Sequence, residues 1–499
     1  METSKLKIYE YPQIIPEKIN LNFSLTELEQ KIFSFFLSNN PKNSIFRVAG
    51  GWVRDKLLSI PNDDIDITID NITGQEYISL LNPENSQIYK TIKNTNEKSS
   101  KLETVTINLY GKDIDIVNLR KEIYSKNNRV PLIEKGTPEE DALRRDITIN
   151  CLFYNINKKI VEDFTNKGIN DLKKGLINLP KDAKISFDED PLRILRIIRF
   201  ATRFNFIMSD NILNNLYIND EFINIISKQR IEKEFSKMME NKNYYASIYI
   251  LYKYKYLEYI LNIDDLTKKY NLNIDNKKTI ISAVNLILIK SYLDKLFIKE
   301  DKDKYNYKIL NYSCLFLPYK KYQIPEGKNK FSILSKIIAK EKFVLPKSDI
   351  NDIILKIEGE TDIINLMKKN KNEIFQRYNI SQILIKYKYK NIFDLIQLAI
   401  CEEYLNDFIN KDDIIENVND DVIKKMYEKY NELIEFIKKE KMENIENIKP
   451  LLDGKEIMKI LNIKDGKKIK NYLNLILTEM INNPNLSKED CINLIKNQK

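Results

Sequence analysis

Two aspartates separated by one isoleucine, Asp64 and Asp66, are the residues of this 499-residue chain whose type and spacing point most directly to chemistry. The run Asp64-Ile65-Asp66-Ile67-Thr68-Ile69-Asp70 alternates polar and apolar residues, the period of a half-buried strand. Two residues apart on a strand, both carboxylates leave the same face. They repel each other unless something cationic sits between them, and hard oxygen ligands in that arrangement suit Mg²⁺, with substrate phosphate completing the octahedron. A solvated acidic face is the alternative. It suits Asp63 and Asp70 better than Asp64 and Asp66, which closely follow a Gly-Gly turn and an arginine-bearing helix. A second alternating run, Val105 to Tyr110, turns at Gly111-Lys112 into Asp113 to Val117, and Asp115 on that strand offers a third carboxylate. Three acidic groups holding two metals is a recurring arrangement for in-line nucleotidyl transfer.

Just upstream, Phe46 to Val48 reads as a strand end and Trp52 to Leu58 as a helix, with Gly50-Gly51 between them. Such a unit can aim free amides and a helix dipole at a phosphate, and Arg54 can add a charge-assisted contact. A plain tight turn is the other reading of the two glycines. Further on, Asp190 precedes Pro191, a good first helical residue, in PLRILRIIRFATRF (191–204). At about 100° per residue, Ile194, Leu195 and Ile198 share one face, and Arg193, Arg196, Arg199 and Arg203 fall on a stripe opposite. Four guanidinium groups on one stripe require anions or carboxylates facing them, unless the stripe is simply solvated. Arginine here, in a chain otherwise rich in lysine, favours planar bidentate hydrogen bonding.

The elements that position these groups follow from the chain's punctuation. Seven of the 11 glycines lie at or before Gly175, none occurs between 176 and 326, and no proline occurs between 192 and 317. Turns and alternating segments therefore belong to the first third, and helical periodicity dominates beyond about residue 185, as in 191–204, 230–239 and 424–441. This predicts an α+β chain with a small α/β head followed by a long all-helical remainder. Asn/Lys-rich patches at 94–101 and 299–308 are expected to be surface loops. The chain contains no histidine, which removes every mechanism built on an imidazole base and the common imidazole zinc sites. Its four cysteines, at 151, 314, 401 and 491, have no CxxC spacing and fit a reducing compartment. No apolar run reaches the length of a membrane span, and METSKLKIYEYPQ lacks the apolar core of a secretory signal. The formal charge of +9 fits an anionic partner such as nucleic acid and fits low-GC codon bias equally well.

The segment GGWVRDKLLSIPNDDIDIT resembles the signature of the class II tRNA nucleotidyltransferase and bacterial poly(A) polymerase superfamily, GGxVRDxLL…DxD. GTPEEDALRRDITINCLFYN (136–155) resembles its RRDxTxNA motif, with Cys151 where alanine is usual. VEDFTNKGINDLKKGLI (161–177) resembles the strand and turn that follow. DEDPLRILRIIRFATRFNF (188–206) resembles the nucleotide-selecting EDxxR helix, and SKQRIEKEF (227–235) the ERIxxEL segment. PLLDGKEIMKILNIKDGKKIKNYLNLIL (450–477) is similar to the tail of eukaryotic CCA-adding enzymes. The likeness is dense to about residue 240 and thin between about 260 and 445.

The resemblance implies a polymerase-β-like nucleotidyltransferase head at 1–165, a helical neck with the nucleotide-selecting helix at 166–255, and an elongated all-α, tRNA-binding body and tail at 256–499. It implies CCA addition to tRNA 3′ ends from CTP and ATP, with Mg²⁺ as cofactor. The RNA 3′-hydroxyl would attack the α-phosphate beside Mg²⁺ held by Asp64 and Asp66, with Asp115 assisting, and no protein base is needed. Gly51 and Arg54 would meet the triphosphate, and Arg145, Arg196 and Arg199 would hold the nucleotide. Asp190 and Arg193 would hydrogen-bond the base edge: a carboxylate accepts from the exocyclic amine shared by C and A, and arginine donates to the ring nitrogen. Glu189 would orient that helix, Asp146 and Asn150 would support the sugar side, Arg144 would form a structural salt bridge, and Cys151 would fill a small buried space. Lys455, Lys467 and Lys468 are candidate RNA contacts. Partial CC- or A-adding enzymes, poly(A) polymerases and a non-catalytic RNA-binding relative share parts of this pattern. Partial enzymes differ in a flexible loop before the RRD motif, and the matching interval, 118–136, is present. Relatives occupy the cytoplasm, nucleus and mitochondrion.

Overall fold

The computed structural model describes residues 7, 9–16, 19–81, 89–95, 104–125, 128–216, 226–297, 307–325, 331–463 and 466–497. The chain forms two compact units, Glu10–Tyr259 and Ile260–Lys499, the latter joined by residues 1–9. The Asn/Lys-rich patches fall mainly outside the described residues. At their edges the expected loops are replaced by regular structure: Asn94 and Thr95 end a strand, and Tyr307 and Lys308 begin a helix.

The first unit is built on a seven-stranded sheet. Its strands are β1 (Phe46–Ala49), β2 (Ile65–Ile69), β3 (Tyr89–Thr95), β4 (Thr104–Leu109), β5 (Lys112–Asn118), β8 (Leu152–Asn155) and β9 (Ile160–Asp163), with β6 (Arg120–Ser125) and β7 (Asn128–Lys135) forming a separate hairpin. The spatial order is β3-β4-β5-β2-β1-β8-β9, antiparallel except for the β2–β5 pair. Alternation sets which faces are buried. In β4 the apolar Val105, Ile107 and Leu109 are buried between more exposed polar neighbours. Ile65, Ile67 and Ile69 of β2 are likewise buried, so Asp66 must leave by the other face. The interval at 118–136, expected to contain a flexible loop, forms the β6–β7 hairpin, because Lys121 to Ile123 pair with Leu132 to Glu134.

Helices cover the buried face. Thr26 and Glu29 form a reciprocal capping box that starts α1 (Glu27–Ser38). Phe33 of α1 packs edge-on to Trp52 of α2 (Gly51–Leu57), and Phe36 stacks on Tyr77 of α3 (Gly74–Leu80). Glu29, nearly buried, accepts from Trp52 Nε1 at 3.1 Å and Lys56 Nζ at 2.7 Å, which ties α2 to α1. α4 (Pro138–Leu143) begins with a Thr137–Glu140 capping box and a proline in its first turn. After β9, where the sequence suggested a turn, lies a helix, α5 (Gly168–Lys174). Next come α6 (Ala183–Glu189), α7 (Leu192–Phe204), α8 (Lys228–Met239) and α9 (Tyr244–Lys253). α7 buries Leu195, Ile197 and Ile198 and packs along both α8 and α9.

The second unit is helical, with long helices at Asn276–Phe297, Lys347–Met367, Ile392–Phe408 and Asp420–Lys439. It is not purely so: Gln323–Pro325 and Phe331–Ile333 pair as a short antiparallel ribbon. Its last helices, Gly454–Leu461, Gly466–Asn482 and Lys488–Asn497, close on their own core of Leu452, Ile457, Ile476, Cys491 and Ile495. Among the described residues no helix is long and apolar enough to cross a membrane.

Candidate active site

The motif residues of the first unit converge on one cavity of about 1010 Å³, lined by Asp64 and Asp66 from the β2 end, Gly51 and Arg54 from α2, Arg145 after α4, and Asp190 with the arginine stripe of α7. β2 begins at Ile65, so Asp64 sits one residue before the strand rather than on it. Both carboxylates nevertheless wall the same cavity, with Asp64 exposed and Asp66 half-buried. Burial raises the Asp66 pKa to about 6, with Asp115 and Asp64 adding to the rise and Arg145 opposing it. Among the described residues neither Asp64 nor Asp66 forms an ion pair.

Asp115 is the register partner of Asp66 across the parallel β2–β5 pair. It is not on the cavity wall, however: its carboxylate accepts from Thr106 Oγ1 at 2.6 Å on the neighbouring strand β4. Among the described residues no group of three or more His, Cys, Asp or Glu side chains is gathered closely enough to hold a metal ion. The chemistry of Asp64 and Asp66 still fits a hard divalent cation. Crowded carboxylates without an ion-pair partner among the described residues, one of them pushed toward neutrality, are what a divalent cation relieves, and such ions commonly take one or two carboxylates with phosphate and water.

The Gly-Gly turn is dictated by its geometry. Gly50 has φ +78°, and a Cβ there would lie 2.6 Å from Arg145 Nη1. At Gly51 a Cβ would meet nothing nearer than Arg54 Nη2 at 3.5 Å, so its backbone borders open cavity. Arg54 is far more committed than a free phosphate ligand would be. It is buried, donates to Asp55 Oδ1 at 2.7 Å and to Asn150 Oδ1, and lies over the rings of Phe204 and Phe200.

The other arginines are held in a lattice of acids. Asp141, buried in α4, takes Arg144 Nη2 at 2.5 Å and Arg145 Nη2 at 2.8 Å. Burial works to raise the Asp141 pKa, but Arg145 and Arg144 outweigh it and hold it below the usual range. Arg144 also pairs with Glu122, the structural bridge expected for it. Arg193 donates to Glu189 Oε2 at 2.9 Å and to Arg144 O at 2.7 Å, and Glu189 also binds Lys181, so Glu189 does orient the helix. Arg196 reaches Asp146 at 2.7 Å and Glu234 at 3.2 Å, while Arg199 reaches Glu234 at 2.6 Å. Burial opposes ionisation of Asp146, and Arg196, Asn150 and Arg199 overcome it, setting its pKa at about 2. Asp190 accepts from Leu192 N at 3.2 Å, ordering the first turn of α7, and from Arg230 Nη2 at 2.8 Å. Cys151 occupies a fully buried space and donates to Ala142 O and Ile147 O.

Sequence reasoning missed Arg203 and Lys237 as cavity residues, Glu234 as the acid shared by Arg196 and Arg199, Arg230 as the partner of Asp190, and Asp141 as the acid behind Arg144 and Arg145. Their signals were present. Arg230, Glu234 and Lys237 recur at i, i+4 and i+7 on α8, and Asp141 precedes Arg144 and Arg145 by one helical turn. Lys455, Lys467 and Lys468 lie in the other unit, exposed on the helices Gly454–Leu461 and Gly466–Asn482.

Residues 46–178 match the family model of the poly A polymerase head domain, and 205–265 match that of a probable RNA and SrmB-binding site of polymerase A. The mitochondrial CCA tRNA nucleotidyltransferase of Saccharomyces cerevisiae is 30% identical, over 95% of this chain and 93% of its own. A tRNA nucleotidyltransferase of Schizosaccharomyces pombe, cca1, is 32% identical over 94% of this chain and 95% of its own. The fold is that of solved CCA-adding enzymes. A Thermotoga maritima enzyme in complex with tRNA aligns with TM-score 0.56 at 18% identity, covering 95% of this chain and 96% of that one. A Bacillus stearothermophilus enzyme in complex with CTP aligns with TM-score 0.58 at 14% identity, covering 95% and 98%. With the motif residues converged on one cavity and similarity running along nearly the whole chain, this protein belongs to the CCA tRNA nucleotidyltransferase family.

Proposed function

We propose that this chain adds C, C and A to tRNA 3′ ends from CTP and ATP without a template. One observation carries the reading: the paired aspartates and the arginine stripe of α7 wall the same cavity, whose volume matches that of small-molecule sites. Residues 1–165 serve as the catalytic head, 166–255 as the neck that carries α7, and 256–499 as the tRNA-binding body and tail. Asp190 and Arg193 read the base edge, rejecting G and U because those bases would leave buried polar groups unpaired. Arg145, Arg196 and Arg199 hold the nucleotide, each pre-set by an acid behind it. The backbone at Gly51 approaches the phosphates, and Arg54 keeps that turn in place from below.

Asp64 and Asp66 are the residues that would hold Mg²⁺, and Asp115 acts through its charge on Asp66. When bound there, a divalent cation supplies charge stabilisation to the transferring phosphoryl group and acidifies the attacking hydroxyl. The side chains fix the direction of attack by clamping base and phosphates at two ends of one cavity. The four free cysteines, all buried, fit a reducing compartment. We place the protein in the cytoplasm, with nucleus and mitochondrion as further compartments for the same chemistry.

The test uses a tRNA ending before CC, with labelled CTP and ATP supplied separately and together, and the products sequenced. Products ending in CCA support the reading. Products stopping at CC, adding only A, or running into oligo(A) replace it with the corresponding relative. Asp64→Asn should abolish addition while leaving tRNA binding intact; normal turnover by that variant removes the aspartates from the mechanism.

A further inference from the structure

Helices α7 and α8 face each other in matched steps along the cavity. At the first step Arg230 of α8 meets Asp190 at the head of α7. One turn on, Glu234 meets Arg196 and Arg199. The next residues of the two series are Arg203 on α7 and Lys237 on α8, and here no acid completes the step. Both side chains are exposed and both line the cavity. Among the described residues neither forms an ion pair or a hydrogen bond. Every other cation of the cavity wall is paired with a carboxylate. The acids nearest to this step are already committed: Asp55 to Arg54 and Asn62, Glu234 to Arg196 and Arg199. Burial lowers the Arg203 pKa, with Arg54 lowering it further and Asp55 opposing; burial likewise lowers that of Lys237, with Arg199 lowering it further and Glu234 opposing.

Two unbalanced cations on one cavity wall, each a helical turn beyond the contact of Glu234 with Arg199, attract an anion. Position says which one. Arg193 and Arg203 are ten residues apart on one helix, about 15 Å along its axis, the reach of an extended nucleoside triphosphate. With the base at Asp190 and Arg193, the far end of the nucleotide arrives at Arg203. That end also borders α2, since Arg203 lies in the field of Arg54 and Asp55. We propose that Arg203 and Lys237 bind the terminal phosphates, β and γ, of the incoming nucleotide and, after transfer, the pyrophosphate. The inference rests on the nucleotide-site reading above and assigns two residues to it that carry no base recognition.

The test compares wild type with Arg203→Gln, Lys237→Gln and the double variant at fixed Mg²⁺. Equilibrium binding of CTP, CMP and inorganic pyrophosphate is measured without RNA, and tRNA binding separately. Each single variant should weaken CTP and pyrophosphate about five- to tenfold, as expected for loss of a charge-assisted contact at a partly solvated site. CMP, which has no terminal phosphates, should bind as to wild type, and Arg203→Lys should restore most of the loss. Unchanged CTP and pyrophosphate affinity overturns the proposal, as does a parallel loss of CMP. Weakened tRNA binding with CTP unaffected also overturns it and assigns the cations to an RNA phosphate. Should wild type bind neither CTP nor CMP, the nucleotide-site reading itself fails, a different result from any of these.

Discussion

Glu234→Gln isolates the most heavily used acid of the arginine lattice. Its side chain is 4% exposed and its two oxygens accept from Arg199 Nε at 2.6 Å and Arg196 Nη1 at 3.2 Å. Glutamine keeps the shape and one accepting oxygen but removes the charge and turns the other contact into a clash of donors. Arg196 retains Asp146 in direct contact, whereas Arg199, 6% exposed, loses its only ion-pair partner among the described residues and keeps just the more distant field of Asp146. Removing one partner of a buried pair costs about 3–5 kcal/mol, and the oxygen that glutamine keeps places the expected loss near the lower end, about 3 kcal/mol. For a unit of about 250 residues that corresponds to a fall of about 6–12 °C in its melting temperature. Calorimetry of the full chain measures the fall, with nucleotide kinetics at matched folded fraction. With its arginines no longer aimed, KM for both CTP and ATP should rise about tenfold, and tRNA affinity should not change. A melting transition shifted by less than about 1 °C together with unchanged KM values would refute the idea that Glu234 organises the stripe.

Asp146 sets a pH dependence. Its pKa is about 2 in the folded chain and near 3.9 when unfolded, so its stabilisation is full above about pH 4 and is lost as pH falls toward 2. Asp146→Asn should therefore flatten the stability curve between about pH 4 and pH 2 by about 2 kcal/mol, read by urea titration; a curve that keeps the wild-type slope removes Asp146 as its source. Changing Lys455, Lys467 and Lys468 together to Gln should reduce the dependence of tRNA binding on salt by about two to three units of log–log slope, with the affinity itself weakened. An unaltered slope in filter-binding titrations would show that these lysines meet no phosphate.

Much of the fold and site is legible in the residues. The alternation of 64–70 and 105–117 marks the strands, since an apolar residue at alternate positions leaves one face for the core and one for the polar side chains. The arginine spacing of 193–203 marks a stripe, because a helix returns to the same face every three to four residues. Local pattern was less informative where pairing is decided at a distance. The interval at 118–136 carries no strong hairpin signal, yet β6 and β7 pair. Asp115 falls in register with Asp66 and adds to the rise of its pKa, yet its carboxylate is taken up by Thr106, a contact made by a neighbouring strand and invisible along its own.

The sequence alone determined the family, the head-then-helices plan, the paired aspartates and the arginine stripe, because each is a matter of residue type at short spacing, where local geometry is the same in any fold. Only the tertiary structure decided which charges meet. That Arg54 is held by Asn150, that Asp146 and Glu234 occupy Arg196 and Arg199, and that Arg203 and Lys237 are left over depends on residues 35 to 96 positions apart being brought within hydrogen-bond reach. Electrostatic pairing acts over a few ångströms in space and has no fixed spacing along the chain, so it becomes readable only once the helices and strands have packed.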